Sequence, residues 1–382
     1  MPISPEQLSE LALASLIECF ADLPAPRIER CKRHKLLDIV VIALCAIICG
    51  GEGPTDMETF AESKADWLRQ FLELPGGIPS HDTFGRVLSL LAPAAFERCL
   101  LQWVNAQGKL VGGEIVALDG KTLRGSHDRA QAQAALEIVS AWAVAARLTL
   151  GQVKVADEAN ESTAVPELLR QWNGAGCIVT VDALNCQKTL AAQIRAQQAD
   201  YVLALKANHK TLRAEVAGFL NSVREERTWG FAISTHQTAD GEHGRLETRR
   251  YWQATAPDFL TAKAAWRDLT SVGLVEATRE IGGQCTTEIR YYLSSLPVNA
   301  AEFARAVRGH WGIEHACHWV LDVVFREDQC RLRIGQAAEN MSRLRRLALN
   351  LLRREKSEKR GIHVKRLKAA LDEKYLLKIL NF

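Results

Sequence analysis

The sequence predicts an α/β protein: a mixed sheet flanked by helices, with a helical segment before it, a β-rich stretch after it and a helical C-terminus. Three observations carry this. Residues 114–223 alternate strand-like and helix-like runs in the order β-β-β-α-β-α-β-α. Apolar residues recur at helical spacing on both sides of that block. From about Thr228 to Leu296 the chain returns to strand-like runs, TRRYWQAT, SVGLVEATRE and TTEIRYYLSSL.

The elements follow in order. Ser4, Pro5 and Gln7 read as the cap, first position and capping box of a helix whose apolar stripe is Leu8, Leu11, Leu13, Leu16 and Ile17. Leu36 to Cys49 reads as a buried helix ended by Gly50-Gly51-Glu52-Gly53-Pro54. Thr55 is expected to cap the next helix, and Ser80 starts another with Phe84, Val87, Leu88 and Leu91 inside it. EIVALDG, EIVSAWAVAA, TLGQVKVAD, CIVTVDA and DYVLALK read as strands; TAVPELLRQW, TLAAQIRAQQ and TLRAEVAGFLNSV read as helices. Ala301 to Phe325 is expected to form one helix and Ala337 to Arg354 another. The expected divisions are 1–108 (helical), 109–227 (first part of the sheet domain), 228–298 (β-rich insertion) and 299–382 (completion of the core and a basic helical end).

With 382 residues, 47% hydrophobic and 24% charged, the chain can bury a sizeable core, which excludes disorder as its main state. The balance of 48 basic against 45 acidic residues, +3, names no partner. The ten cysteines form no C-x-x-C pair, and Cys45 and Cys49 read as buried free thiols in an apolar run. MPISPEQLSE shows no basic leader or cleavage site, so a reducing cytoplasm is expected. The run Ile39 to Cys49 is shorter than the roughly 20 residues of a membrane span.

Asp119 follows the apolar run IVAL, and Asp182 follows IVTV. Ligands of open α/β sheets gather outside the carboxyl ends of strands. If these strands are parallel neighbours, the two carboxylates share one edge and repel unless a cation joins them. Carboxylate oxygens are the hard donors that Mg²⁺ selects. Glu314, in RGHWGIEHACHWVLDVVFRED, is a third acid set among aromatic residues. Taken singly, an aspartate can merely start a turn, and a helical glutamate is usually a surface residue.

The motifs ALDGKTLRGS, VTVDALNCQK, YVLALKANHKTL, HGRLETR and VRGHWGIEHACHWVLDVVFRED, with RHKLLDIVVIALCAIICG and GIPSHDTFGRVLS before them, resemble the DDE transposases of bacterial insertion sequences, in particular the ISAs-type, H-repeat-associated subgroup. The resemblance implies an RNase H-like catalytic domain interrupted by a β-rich insertion, with Asp119, Asp182 and Glu314 as a metal-binding triad separated by 63 and 132 residues. It implies two Mg²⁺ or Mn²⁺ ions, double-stranded DNA as partner at element ends and target, and a homodimer in the synaptic complex. The wider signature Tyr-x2-Arg-x3-Glu-x6-Lys meets Val307, His310, Glu314 and Leu321 here, so only the Glu keeps register, with Arg308 and His310 near the Arg position. The subgroup's IENxLHW reads IEHACHW, with His315 and Cys317 at the Asn and Leu positions.

Paired metal ions support in-line displacement at phosphorus by water or by a freed 3′-hydroxyl. The expected activity is therefore DNA strand cleavage and strand transfer. An RNase H-like nuclease without strand transfer and an inactive, element-derived DNA-binding protein are the alternatives. Lys121, Arg124, Lys206, Asn208 and Lys210 in the loops, and Arg308, His310 and Trp311 near Glu314, are the expected DNA contacts. Residues 324–368 hold 14 Lys/Arg and 5 Asp/Glu, and Arg343, Arg346 and Arg353 are expected on a phosphate-facing helix surface. Arg27, Arg30, Lys32, Arg33 and Lys35 form a second basic cluster.

DGKT is not a phosphate loop, because position 115 is Ile. His310, His315, Cys317 and His318 match no structural zinc spacing and read as core histidines and thiol. Trp229 and Trp252 read as strand-core aromatics. His243, Gly244, Arg245, Glu247 and Arg249 stand out through the resemblance, without a role.

Overall fold

The computed structural model describes residues 16–27, 32–106, 110–128, 134–156, 161–226, 230–242 and 245–380. Nine strands form one mixed sheet: β1 (Ile115–Leu123), β2 (Leu136–Ala143), β3 (Leu148–Lys154), β4 (Ile178–Val181), β5 (Asp200–Leu205), β6 (Ile233–Glu242), β7 (Arg245–Thr255), β8 (Ser271–Ile281) and β9 (Gln284–Ser294). Their order is β3-β2-β1-β4-β5-β9-β8-β7-β6. β1, β4 and β5 are parallel, and β2 and β3 run antiparallel beside them. This is the RNase H-like mixed sheet.

The β-rich stretch is not a separate layer. β9 pairs antiparallel with β5, from Val202↔Ser294 to Leu205↔Tyr291, and β8, β7 and β6 follow outward. The insertion thus covers an edge of β5 that would otherwise expose unpaired backbone groups.

One face of the sheet carries helices Glu161–Leu169, Lys188–Ala196 and Lys210–Arg224, packed on Leu118, Val139, Val179, Val181 and Leu203. The other face carries helix Ala300–His310 and a helical layer drawn from both ends of the chain. Helix Leu36–Ile48 is almost wholly buried there, against helix Ala337–Arg354. Ile42, Phe84, Trp103, Leu344, Leu351 and Tyr375 belong to one core.

Several expectations are corrected. The capping residues Ser4, Pro5 and Gln7 lie outside the described residues, and helix is described there from residue 16. Thr55 is not a cap: Pro54 opens helix Pro54–Ser63, and the Asp56 carboxylate accepts from the Glu52 and Gly53 N–H groups at 2.7 and 3.2 Å. β1 continues past Asp119, because β2 pairs with it through Leu123↔Leu136. The expected helix 301–325 is broken at Trp311; the chain resumes through a π turn, Glu314–His318, and helix Trp319–Val323. Gly309 and Gly312 weaken the helix at this point.

Two glycines seat helix Ala300–His310. A Cβ on Gly309 would lie 2.9 Å from Ile115 Cδ1, and one on Gly273 of β8 would lie 2.4 Å from the ring of buried Phe303. The nine cysteines among the described residues are free thiols. No single helix among them is long and apolar enough to cross a membrane. Gly273→Ala forces the Phe303 ring away, and we expect it to cost roughly 1–3 kcal/mol of stability in urea unfolding; an unchanged midpoint would show that the helix is not seated through this contact.

Candidate active site

β1 and β4 are parallel neighbours in the register Leu118↔Val181, so Asp119 and Asp182 occupy the next position on each strand. Side chains alternate along a strand. Leu118 and Val181 point into one core, which sends Asp119 and Asp182 to the opposite face. That face is covered by helix Ala300–His310, where the His310 ring pairs with Thr180 Oγ1 at 3.1 Å. The π turn after this helix presents Glu314 and His318, one turn apart. In that turn the Trp319 N–H donates to the Glu314 carbonyl five residues back, a widened geometry common at functional positions.

His318 Nδ1 lies 3.5 Å from Asp119 Oδ2 and 3.4 Å from Glu314 Oε2. Donor atoms of Asp119, Glu314 and His318 all fall within 4.8 Å of one another. Asp182 sits one strand over, where Asn185 donates to its Oδ1 from the backbone at 3.2 Å and from Nδ2 at 3.0 Å. The same Asn185 amide donates to Glu161 Oε2 at 3.0 Å. Glu161 reaches the site from the other face of the sheet, across Gly120, where a Cβ would stand 2.0 Å from its carboxylate oxygen.

Four carboxylates therefore meet at one edge. Burial, followed by Glu161, Glu314 and Asp182, pushes the Asp119 carboxyl up to about 7. Burial likewise takes Glu161 to about 7, with the Asn185 hydrogen bond opposing and Glu137 reinforcing the rise. The His318 contact holds Glu314 below its ordinary value. Burial lowers the proton affinity of His318 and takes His310 to about 4. Close like charges with few protons to separate them are what a bound cation neutralises, and an oxygen-rich set suits a hard divalent ion. The residues present fit such an ion.

The loop and basic residues divide sharply. Lys206, Lys210 and Arg308 are exposed, and Arg308 reaches Asp240 at 3.0 Å. Arg124 is exposed beside Asp328. Asn208 is engaged internally, donating to the Ala183 carbonyl at 2.9 Å and so holding the loop after Asp182. Lys121 is buried, not phosphate-facing: its ammonium meets Asp322 at 2.7 Å, Asp328 at 2.9 Å and Glu327 at 3.6 Å. It clamps β1, two residues past Asp119, to the helix that follows Glu314.

The expected basic surface of helix Ala337–Arg354 is also corrected. Arg343 is buried on Glu97 at 2.6 Å and Glu339 at 2.8 Å. Arg346 is buried on Glu327 at 3.0 Å and Ser140 at 3.2 Å. Arg353 lies over the Trp142 ring at 5.2 Å and donates to the Ala316 carbonyl. The N-terminal and C-terminal helices and strands β2 and β3 cover this helix, so its arginines meet acids and sheet residues rather than solvent. In the other basic cluster, Arg27 donates to the His34 carbonyl and Lys35 pairs with Glu73, while Arg30 lies outside the described residues.

Trp252 is half-buried in the sheet core, as expected; Trp229, His243 and Gly244 lie outside the described residues. Glu247 and Arg249 pair with each other.

A groove of about 720 Å³ leads to Glu314 between β7–β9 and helix Ala300–His310. Arg249, Arg279, Arg290 and Arg308 line it, with Trp311 at its mouth near the acids. Arg290 stands 4.9 Å over the Trp311 ring and is held by Glu288 through two bonds of 2.8 Å. Sequence reasoning missed Glu161, Arg279 and Arg290 and read His318 as a core histidine. Only His318 carried a signal, its place four residues after Glu314.

Known proteins resemble this chain over most of its length. The DDE_Tnp_1-associated model matches residues 17–104, and the Transposase DDE domain model matches residues 111–351. The chain belongs to the transposase family defined by that DDE domain. It is 36% identical over 377 residues to YhhI of Escherichia coli strain K12, an H repeat-associated protein assigned as a transposase, covering 97% of this chain and 98% of that one. YncI of Escherichia coli O157:H7, likewise assigned, is 37% identical over 379 residues, 97% of this chain and 95% of that one. A piggyBac transposase synaptic complex with hairpin DNA aligns with 98% of this chain and 79% of its own at a TM-score of 0.42 and 11% identity.

Two outcomes are expected. Arg343→Met strands the buried Glu97 carboxylate and costs about 3–5 kcal/mol in denaturant unfolding, whereas Lys206→Ala stays within about 0.5 kcal/mol. Asp119 binds its proton more tightly folded than unfolded, so the metal-free protein loses stability as pH rises from about 4 through about 7. Asp119→Asn relieves the repulsion and should stabilise the metal-free protein by on the order of 1 kcal/mol at pH 8 and by much less at pH 5; calorimetry in chelator at both values checks the sign.

Proposed function

We propose that this transposase binds the terminal inverted repeats of its own insertion sequence, cleaves DNA strands with two divalent ions, Mg²⁺ or Mn²⁺, and transfers the freed 3′-hydroxyl ends to target DNA. The observation that carries the reading is the gathering of Asp119, Asp182 and Glu314 at one sheet edge, in a chain of this family.

Asp119, Asp182 and Glu314 would hold the ions, which supply Lewis acidity and a polarised water or 3′-hydroxyl for in-line displacement. The protein's part is placement. The β1–β4 register sets the two aspartates side by side, Asn185 fixes Asp182, and the Lys121 clamp holds β1 against the helix after Glu314. The arginine-lined groove with Trp311 gives a DNA strand a path to the acids, with Lys206 and Lys210 exposed beyond Asp182. Two element ends need two active sites, so two copies are placed in the DNA complex. The free thiols suit a reducing bacterial cytoplasm, where the nucleoid supplies the substrate.

An inactive derivative is the second reading. YbfQ of Escherichia coli strain K12, 48% identical over 56 residues (15% of this chain, 67% of that one), is named an inactive transposase. The three retained acids favour activity here.

Cleavage of the element's own end with Mg²⁺ or Ca²⁺ decides between them. Asp119→Asn, Asp182→Asn and Glu314→Gln should each abolish cleavage and leave DNA binding in place; near-normal cleavage by one variant removes that residue from the triad. Joined products from a 3′-hydroxyl donor separate a transposase from a plain nuclease. Arg290→Ala and Arg308→Ala should each weaken DNA binding and lower the slope of log affinity against log salt by about 1; unchanged slopes would place the DNA elsewhere.

A further inference from the structure

We propose that His318 is a nitrogen donor to the same divalent-ion site, which makes the site a mixed carboxylate–imidazole one rather than an all-oxygen one. The inference rests on reading Asp119 and Glu314 as cation ligands, and its test separates the two. His318 is 3% exposed and sits at the end of the π turn that begins with Glu314. Its Nδ1 faces both acids, 3.5 Å from Asp119 Oδ2 and 3.4 Å from Glu314 Oε2. These separations are long for charged hydrogen bonds, which run to about 2.9 Å. They match the spacing of neighbouring donors around one ion with bonds of about 2.0–2.2 Å, roughly 3–3.5 Å apart.

The other ring nitrogen, Nε2, is buried without a hydrogen-bond partner. Nε2 is therefore not tied up in a structural bond, as a core histidine's would be. Nδ1 shares one donor cluster with Asp119 and Glu314, all within 4.8 Å, where a purely structural filler would not need a polar atom. An imidazole donor shifts preference away from Mg²⁺ toward ions that accept nitrogen, Mn²⁺ among them.

The full-length protein loaded with Mn²⁺ alone tests this by pulsed electron paramagnetic resonance. A ¹⁴N coupling from a directly bound imidazole is expected in the wild-type protein, absent in His318→Gln and in His318→Asp. The aspartate variant should still bind Mn²⁺, with its Mn²⁺-over-Mg²⁺ preference reduced about tenfold. Mn²⁺ that binds the wild-type protein through Asp119, as judged by loss of binding in Asp119→Asn, yet shows no ¹⁴N coupling, overturns the role of His318 and leaves the acid site standing. A coupling that persists in both His318 variants assigns it to another histidine and also overturns it. Mn²⁺ binding untouched by Asp119→Asn overturns both readings. The wild-type spectrum decides even if a variant does not fold.

Discussion

Mutual repulsion among carboxylates is the constraint on which this structure turns. Asp119, Asp182, Glu161 and Glu314 meet where β4 stops and β1 continues, and burial limits the screening of Asp119 and Glu161 by water. Left alone, such a cluster would separate or take up protons. The surrounding fold prevents separation. Asn185 donates to Asp182 and to Glu161, His318 lies between Asp119 and Glu314, and Lys121 locks β1 to the next helix through three acids. The like charges are thereby held close together.

Placement of Glu314 depends on a second set of contacts, remote from the charges. Gly273 and Gly309 let helix Ala300–His310 lie close against β8 and β1, and Phe303 fills the space between. The π turn then rotates Glu314 and His318 over the strand ends. Behind them, Arg343 and Arg346 pair with Glu97, Glu339 and Glu327 inside the helical layer. These buried pairs tie helix Ala337–Arg354 to an N-terminal helix and to the turn Glu327–Gln329. Replacing one partner leaves a charge with no solvent to receive it.

The insertion has two consequences. By extending the sheet from β5 it protects an open edge, and it supplies one wall of the groove that leads to Glu314. Arg279 and Arg290 come from that wall, and Arg308 and Trp311 from the helix side. A groove assembled this way joins strands β7–β9 to the segment that carries Glu314.

Much of this was legible from residue order. Apolar runs ending at Asp119 and Asp182 marked two strands, because a strand buried on both faces reads as a continuous apolar run, and the structure makes them parallel neighbours. The alternating strands and helices likewise announced the mixed sheet. What the sequence could not express was partnership across distance. Arginines on helix Ala337–Arg354 looked like a solvent face, since helical periodicity records which residues are polar but not whether another helix covers them. Glu161 had no signature, because it crosses the sheet through the missing side chain of Gly120, and the nearness of His318 to Asp119 depends on a widened turn. The chain by itself determined the class of protein and the three acids to watch; only tertiary packing decided which charges face solvent, which face each other, and which side chains gather around Asp119, because those depend on contacts between residues dozens to hundreds of positions apart.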